Sequence, residues 1–199
     1  MATTPVSAKK NKVKFGLENV HYALMTADSA AGPTYGEPKP WPGAVSLSMD
    51  PQGDVTKFRA DNVDYWVGQQ NSGYEGDLEM ARVIDDFRKD VLGEEVDANG
   101  VLVEDADAET KQFALLFEFA GDVNKTRHVL YNCTASRPSV GSQTTEETKK
   151  PVTESCTITA SPLLNKKVKS STTDETEKTV YDGWFQSVYL PGGAANAGE

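Results

Sequence analysis

Along residues 74–80 apolar and acidic positions alternate one for one. Tyr74, Gly76, Leu78 and Met80 fall on one face of a period-2 strand, and Glu75, Asp77 and Glu79 form a carboxylate row on the other. Upstream, residues 63–69 are rich in Val, Tyr and Trp and read as a strand. Asn71-Ser72-Gly73 supplies turn chemistry, so the pattern predicts a hairpin of 63–69 with 74–80. From Arg82 the period changes. Val83, Ile84, Phe87 and Val91 make one apolar stripe, predicting a helix at about 81–92 that Gly93 stops and that packs through this stripe. Asp85 and Asp86 near its start and Arg88 and Lys89 further on suit the helix macrodipole.

Other strands read from the same periodicity lie at 19–26, 44–49, 55–60, 113–119, 127–136 and 152–160, with a turn at 50–54. Residues 113–119 are apolar on both faces, as a central strand must be. Asn99-Gly100 marks a small acidic hairpin between 94–96 and 101–103. Residues 181–190 suit a short helix or a strand, and the pattern leans to a strand preceded by a helical turn. The loop 27–43 carries four prolines and three glycines, which exclude a helix or a central strand. A loop of that length in a compact domain has a task, and its Tyr35 and Trp41 either meet a partner surface or fold back on their own domain. The tracts 141–151 and 165–178, rich in Thr, Glu and Lys, read either as long polar hairpin extensions or as mobile loops, and 192–199 as a Gly/Ala tail. One β domain over 18–191 follows, with an N-terminal arm at 1–17.

Charge sharpens this picture. The net charge is −10, yet residues 61–109 hold fifteen acids against Arg82, Arg88 and Lys89, a local net of −12 that leaves +2 for everything else. The arm is the opposite, with Lys9, Lys10, Lys12 and Lys14 and no acid. So acidic a centre repels nucleic acid rather than binding it. No apolar run approaches the ~18 residues of a membrane span, and no signal-peptide core precedes the arm, so assembly in a cytoplasm is expected. Cys133 and Cys156 are then two buried free thiols.

Catalytic chemistry leaves no mark. His21 and His128, the only histidines, have no second ligand at metal spacing, and there is no phosphate-cradling loop, nucleophile elbow or CxxC. The acids at 104, 105, 107 and 109 lack the spaced ligands of an EF-hand and read as a solvated loop. No enzyme, no cofactor and no metal are expected.

GDLEMARVIDDFRKDVLG, preceded by YWVGQQNSGYE, resembles the major tail proteins of long, non-contractile-tailed bacteriophages of the phi13 type. NKVKFGLENVHYALMT and YDGWFQSVYLP resemble the ends of the same family. The resemblance implies a mainly β, sandwich- or barrel-like tail-tube fold with one flanking helix and extended loops and arms. It further implies hexameric rings stacked into a virion tail tube that delivers the genome. Itself, a tape measure protein and terminator or baseplate proteins would be the partners, and assembly would occur in the bacterial host. Under it, Tyr35 and Trp41 become an inter-ring contact and the four arm lysines an inter-subunit clamp. Glu75, Asp77 and Glu79 would face the lumen, where carboxylates keep passing DNA off the wall. The competing expectation is a monomeric β-sandwich binding module, with Tyr35, Trp41 and Trp66 as stacking platforms for carbohydrate and acids holding calcium.

Overall fold

The structure is a computed structural model that describes residues 10–29, 32–144 and 151–192. Its strands are β1 (Lys14–Ala27), β2 (Thr34–Tyr35), β3 (Lys39–Pro40), β4 (Ala44–Gln52), β5 (Val55–Ala60), β6 (Val63–Gln69) and β7 (Gly73–Met80). After a helical segment, α1 (Asp85–Phe87), come β8 (Glu95–Val96), β9 (Leu102–Val103), β10 (Phe113–Gly121), β11 (Thr126–Ala135), β12 (Glu154–Ser161), β13 (Lys169–Ser171) and a last helix, α2 (Lys178–Asp182). The fold is mainly β. One antiparallel sheet runs in the order β2-β1-β10-β11-β12-β7-β4, with β3 added on β1 and β13 on β11. It does not close into a barrel, and β4 is left at an edge.

β10 sits in the middle because it can be buried on both sides. Phe113, Leu115 and Phe117 enter one core together with Tyr22, Leu78, Met80, Phe87, Val91 and Ile158, whereas Ala114 and Leu116 enter a second with Val129, Tyr131, Trp184 and Val188. β1, β7, β10, β11 and β12 all contribute to the first core, so the sheet curls around it. Burying both faces of one strand is what a continuous apolar run encodes.

The flanking helix is shorter than the apolar stripe predicts. α1 starts only at Asp85 and passes at Arg88–Leu92 into a π-helical turn, which Gly93 ends in the left-handed conformation. Val83 and Ile84 precede the helix. Glu154 holds this entry extended by accepting a 2.7 Å hydrogen bond from the Val83 amide, and Val83, Phe87 and Val91 are buried.

Residues 181–190 form no strand. α2 ends at Gly183, and turns then place Trp184 and Val188 over the back of β10, the apolar face that would otherwise be exposed. Arg127 fastens this segment. Its guanidinium lies 3.9 Å from the Tyr181 ring, donates to the Tyr181 carbonyl, and pairs with buried Glu118 at 3.1 Å. The polar tract at 165–178 contains β13, paired with β11, while 145–150 and 193–199 lie outside the described residues.

The cysteines are far apart. Cys133 stands opposite Ala160, four residues along β12 from Cys156, roughly 13 Å at a strand's rise and beyond disulfide reach. Burial pushes the Cys133 thiol up to about 12 and the Cys156 thiol up to about 11. Both are free thiols.

The ring of His128 stacks on Phe117 at 5.2 Å. Burial, and then the nearby Lys169 and Lys14, lower its pKa to about 4. Because the folded value lies below the unfolded one, the unfolded chain takes up the proton first, and stability falls as pH drops from about 6.5 towards 4. His128→Phe is expected to abolish about 1 kcal/mol of the stability difference between pH 7 and pH 5, after allowance for the ring's partial exposure. Urea unfolding at the two pH values measures this, and identical losses in both proteins would refute it.

Candidate functional site

β4, β7 and β12 lie side by side, and their outward face carries a column of carboxylates between two mainly hydroxyl columns. Register sets Glu79 between Ser46 and Ser155, Asp77 between Ser48 and Thr157, and Glu75 between Asp50 and Thr159. Ser46 Oγ donates to Glu79 Oε2 at 2.9 Å and Thr153 Oγ1 to Glu79 Oε1 at 2.5 Å, while Thr157 Oγ1 donates to Asp77 Oδ1 at 2.9 Å. The Thr153 bond, then the Ser46 bond, hold the Glu79 carboxyl below its usual range. None of the three strands contains a Lys, Arg or His. On these three strands the face is therefore anionic with no cation of their own, and it ends at the unpaired edge of β4.

The expected hairpin of 63–69 with 74–80 does not exist. β6 pairs with β5, and β7 pairs with β4 and β12. Asp61 and Asn62, at φ 52° and 61°, form the tight turn between β5 and β6, as two left-handed residues do in a two-residue hairpin. The predicted turns at 50–54 and 71–73 are instead two sides of one interruption. Ser72 N donates to Gln52 O and Gln70 N to Asp54 O, so β4–β5 and β6–β7 form one long ribbon. Gly53 permits the kink, since a Cβ there would lie 1.9 Å from Gln70 O.

The outer half of the ribbon projects. Phe58, Val63, Tyr65, Trp66 and Val67 are all more than half exposed. It has two unlike faces. Phe58 stands opposite Trp66 and Ala60 opposite Val63, while Lys57, Arg59 and Asp64 form an ion cluster, with Lys57 Nζ 2.9 Å from Asp64 Oδ2. Trp66 folds over Gly68, where a Cβ would lie 2.1 Å from its ring. The sequence signal for this hairpin was Asp61-Asn62 between two short β-rich runs, which the stronger glycine turns on either side masked.

Within the chain, Trp41 and the Tyr35 hydroxyl are both engaged by their own domain. Trp41 is wholly buried, stacked on Phe87 at 3.9 Å between ring centroids and edge-on to Tyr22. Tyr35 donates its hydroxyl to Tyr131 O at 2.9 Å, and burial pushes that phenol far up. Apolar area returns to the core when a proline-stiffened loop can reach it, and β2 and β3 pin this loop onto β1. Trp41 is equally unable to serve as a carbohydrate platform.

From Lys10 to Lys14 the chain lies on its own domain. The Asn11 side chain accepts from the amides of Val123 and Asn124 and donates to Asn124 O, and Lys12 N donates to Asp122. Lys14 already belongs to β1, with its ammonium 5.3 Å from the Phe119 ring. Lys10, Lys12 and Lys14 are exposed, and Lys9 lies outside the described residues. His21 is occupied structurally, with Nδ1 3.0 Å from Asn19 O and its ring against Phe185. Among the described residues no three His, Cys, Asp or Glu side chains group as a metal site, and no helix is long and apolar enough to cross a membrane.

A protein-family model described as "Phage tail tube protein" matches residues 6–187. Among solved structures, the chain is similar to one described as the cryo-EM structure of the anti-feeding prophage cap, a tube terminating cap. The two are 10% identical with a TM-score of 0.43, and the match covers 85% of this chain and 99% of that one. No curated protein matches. With a family match spanning nearly its whole length, this chain belongs to the phage tail tube protein family.

Proposed function

We propose that this protein is the structural subunit of a phi13-type tail tube, assembling into hexameric rings that stack into the conduit for genome delivery. The observation that carries this is the face of β4, β7 and β12, with Glu75, Asp77 and Glu79 flanked by hydroxyls and Asp50 and without one cation. A conduit wall for a polyanion works by not binding it, because each Lys or Arg would add a phosphate contact and slow transit. The same three strands end at the β4 edge, whose unpaired backbone is a site for a neighbouring copy's strand; closure of a ring removes the exposed edge. The tape measure protein would occupy the lumen before DNA, and terminator and baseplate proteins would meet the tube ends. No catalysis or cofactor enters this function, and the place of work is the virion, after assembly in the host cytoplasm. In this scheme the exposed Lys10 and Lys12, with the rest of the arm, reach the acidic surface of a neighbour.

Purified protein examined by negative-stain microscopy is expected to give rings and tubes about 100 Å across, the order of magnitude for six domains of this size around a channel. Deleting residues 2–14 should leave rings and abolish stacking. Monomers alone at every salt and protein concentration would contradict the proposal. Glu75→Lys with Asp77→Lys should leave the tubes intact while slowing DNA ejection on the order of tenfold, most strongly at low salt. An unchanged ejection rate would remove the lumen assignment.

A further inference from the structure

The chain carries, on separate surfaces, an apolar projection and a groove with aromatic walls and a basic rim. The projection is the β5–β6 hairpin, whose Phe58, Val63 and Trp66 are all more than half exposed. At its end, Asp61 makes no ion pair among the described residues. The groove, of about 340 Å³, opens between the two walls of the curled sheet. Met49, Tyr74, Phe117 and Phe119 line it, and Lys14 and Lys169 stand at its rim. Each rim lysine lies over an aromatic ring, Lys14 over Phe119 and Lys169 over Tyr74 at 4.4 Å. Neither has a carboxylate partner among the described residues. In a chain of net charge −10, two unpaired cations at an aromatic groove select an occupant that brings both apolar rings and a carboxylate.

We propose that this groove receives the β5–β6 hairpin of a second copy, with Phe58 and Trp66 on its aromatic floor and Asp61 between Lys14 and Lys169. The inference rests on the tube assignment above and supplies one of its contacts. Projection and groove are different patches of one chain, so the contact is heterologous: repeated, it closes into a ring or propagates as a filament, and it does not stop at a two-fold dimer. The acidic β8–β9 lobe, with Val96 and Val103 exposed, is the competing occupant; it offers valines and many carboxylates but no aromatic ring.

The test is a cysteine pair in assembled full-length protein. Val63→Cys with Lys169→Cys, oxidised after assembly, should give a ladder of disulfide-linked oligomers on non-reducing gels, and each single variant should give none. The native Cys133 and Cys156 are buried and protonated and need no replacement. As a second readout, Lys169→Asp should raise the protein concentration needed for assembly about tenfold, the ratio for a contact worth about 1.4 kcal/mol, and added Asp61→Lys should restore it. Tubes without a ladder, or a ladder from Asp97→Cys with Lys169→Cys instead, would overturn this contact and leave the tube assignment standing. Failure of the unaltered chain to assemble would overturn both.

Discussion

Trp41→Ala is expected to lower the unfolding free energy by about 3–5 kcal/mol, the cost of removing a fully buried large aromatic side chain. Trp41 joins the proline-rich loop to the rest of the protein. Its ring stacks on Phe87, its amide donates to Val20 O at 2.7 Å, and its indole N–H points to Arg82 O at 3.4 Å. The cavity left behind would be lined by Tyr22 and Phe87, which the surrounding strands hold apart. Trp66→Ala, on the projecting hairpin, should change stability by no more than about 0.5 kcal/mol. Urea midpoints of the unassembled protein compare the two directly. A Trp41→Ala effect as small as that of Trp66→Ala would mean that the loop does not belong to the core.

Glu118→Leu should cost about 3 kcal/mol, because it leaves the largely enclosed Arg127 guanidinium without its counter-charge. Glu118 is almost wholly enclosed within β10, between β1 and β11, and its two oxygens bind Arg127 and Lys125. Arg127 in turn holds α2 against the sheet, so proteolysis within 178–190 should accelerate in the same variant. Glu18→Leu is the control. Glu18 also pairs with Lys125, at 2.5 Å, but in the open, and its loss should cost no more than about 1 kcal/mol. Equal effects of the two substitutions would contradict the difference that burial makes.

What could be read in the sequence was what period and charge encode locally. Residues 74–80 alternate because one face meets the core and the other water, and their carboxylate row stands on one face in the structure. β10 is apolar on both faces because it is buried on both. Pairing was less legible, since the sequence does not say which strand lies beside which. Residues 63–69 read as a partner for 74–80 because a glycine turn separates them, whereas Asp61-Asn62 folds them onto 55–60 and lets β7 pair with β4 and β12. The fate of Trp41 also depended on tertiary structure, because only the curl of the sheet brings Phe87 and Tyr22 together beneath it. The strand expected within 181–190 failed for a related reason. The back of β10 needed a cover, and an irregular chain with Trp184 and Val188 provides it.

The carboxylate face acquires its meaning only in the assembly, where a surface that is merely exposed in one chain becomes either wall or exterior. Ser46 and Thr153 already occupy both Glu79 oxygens and Thr157 one of the two on Asp77, so hydroxyls hold these carboxylates in place. That arrangement suits a wall that stays anionic while a polyanion moves past it. An electron cryomicroscopy reconstruction of tubes formed by the purified protein tests this most directly. β4, β7 and β12 are expected to line the channel, with Glu75, Asp77 and Glu79 directed at the axis; a reconstruction with this face on the outer surface, or a channel lined by Lys and Arg, would contradict the proposed lumen.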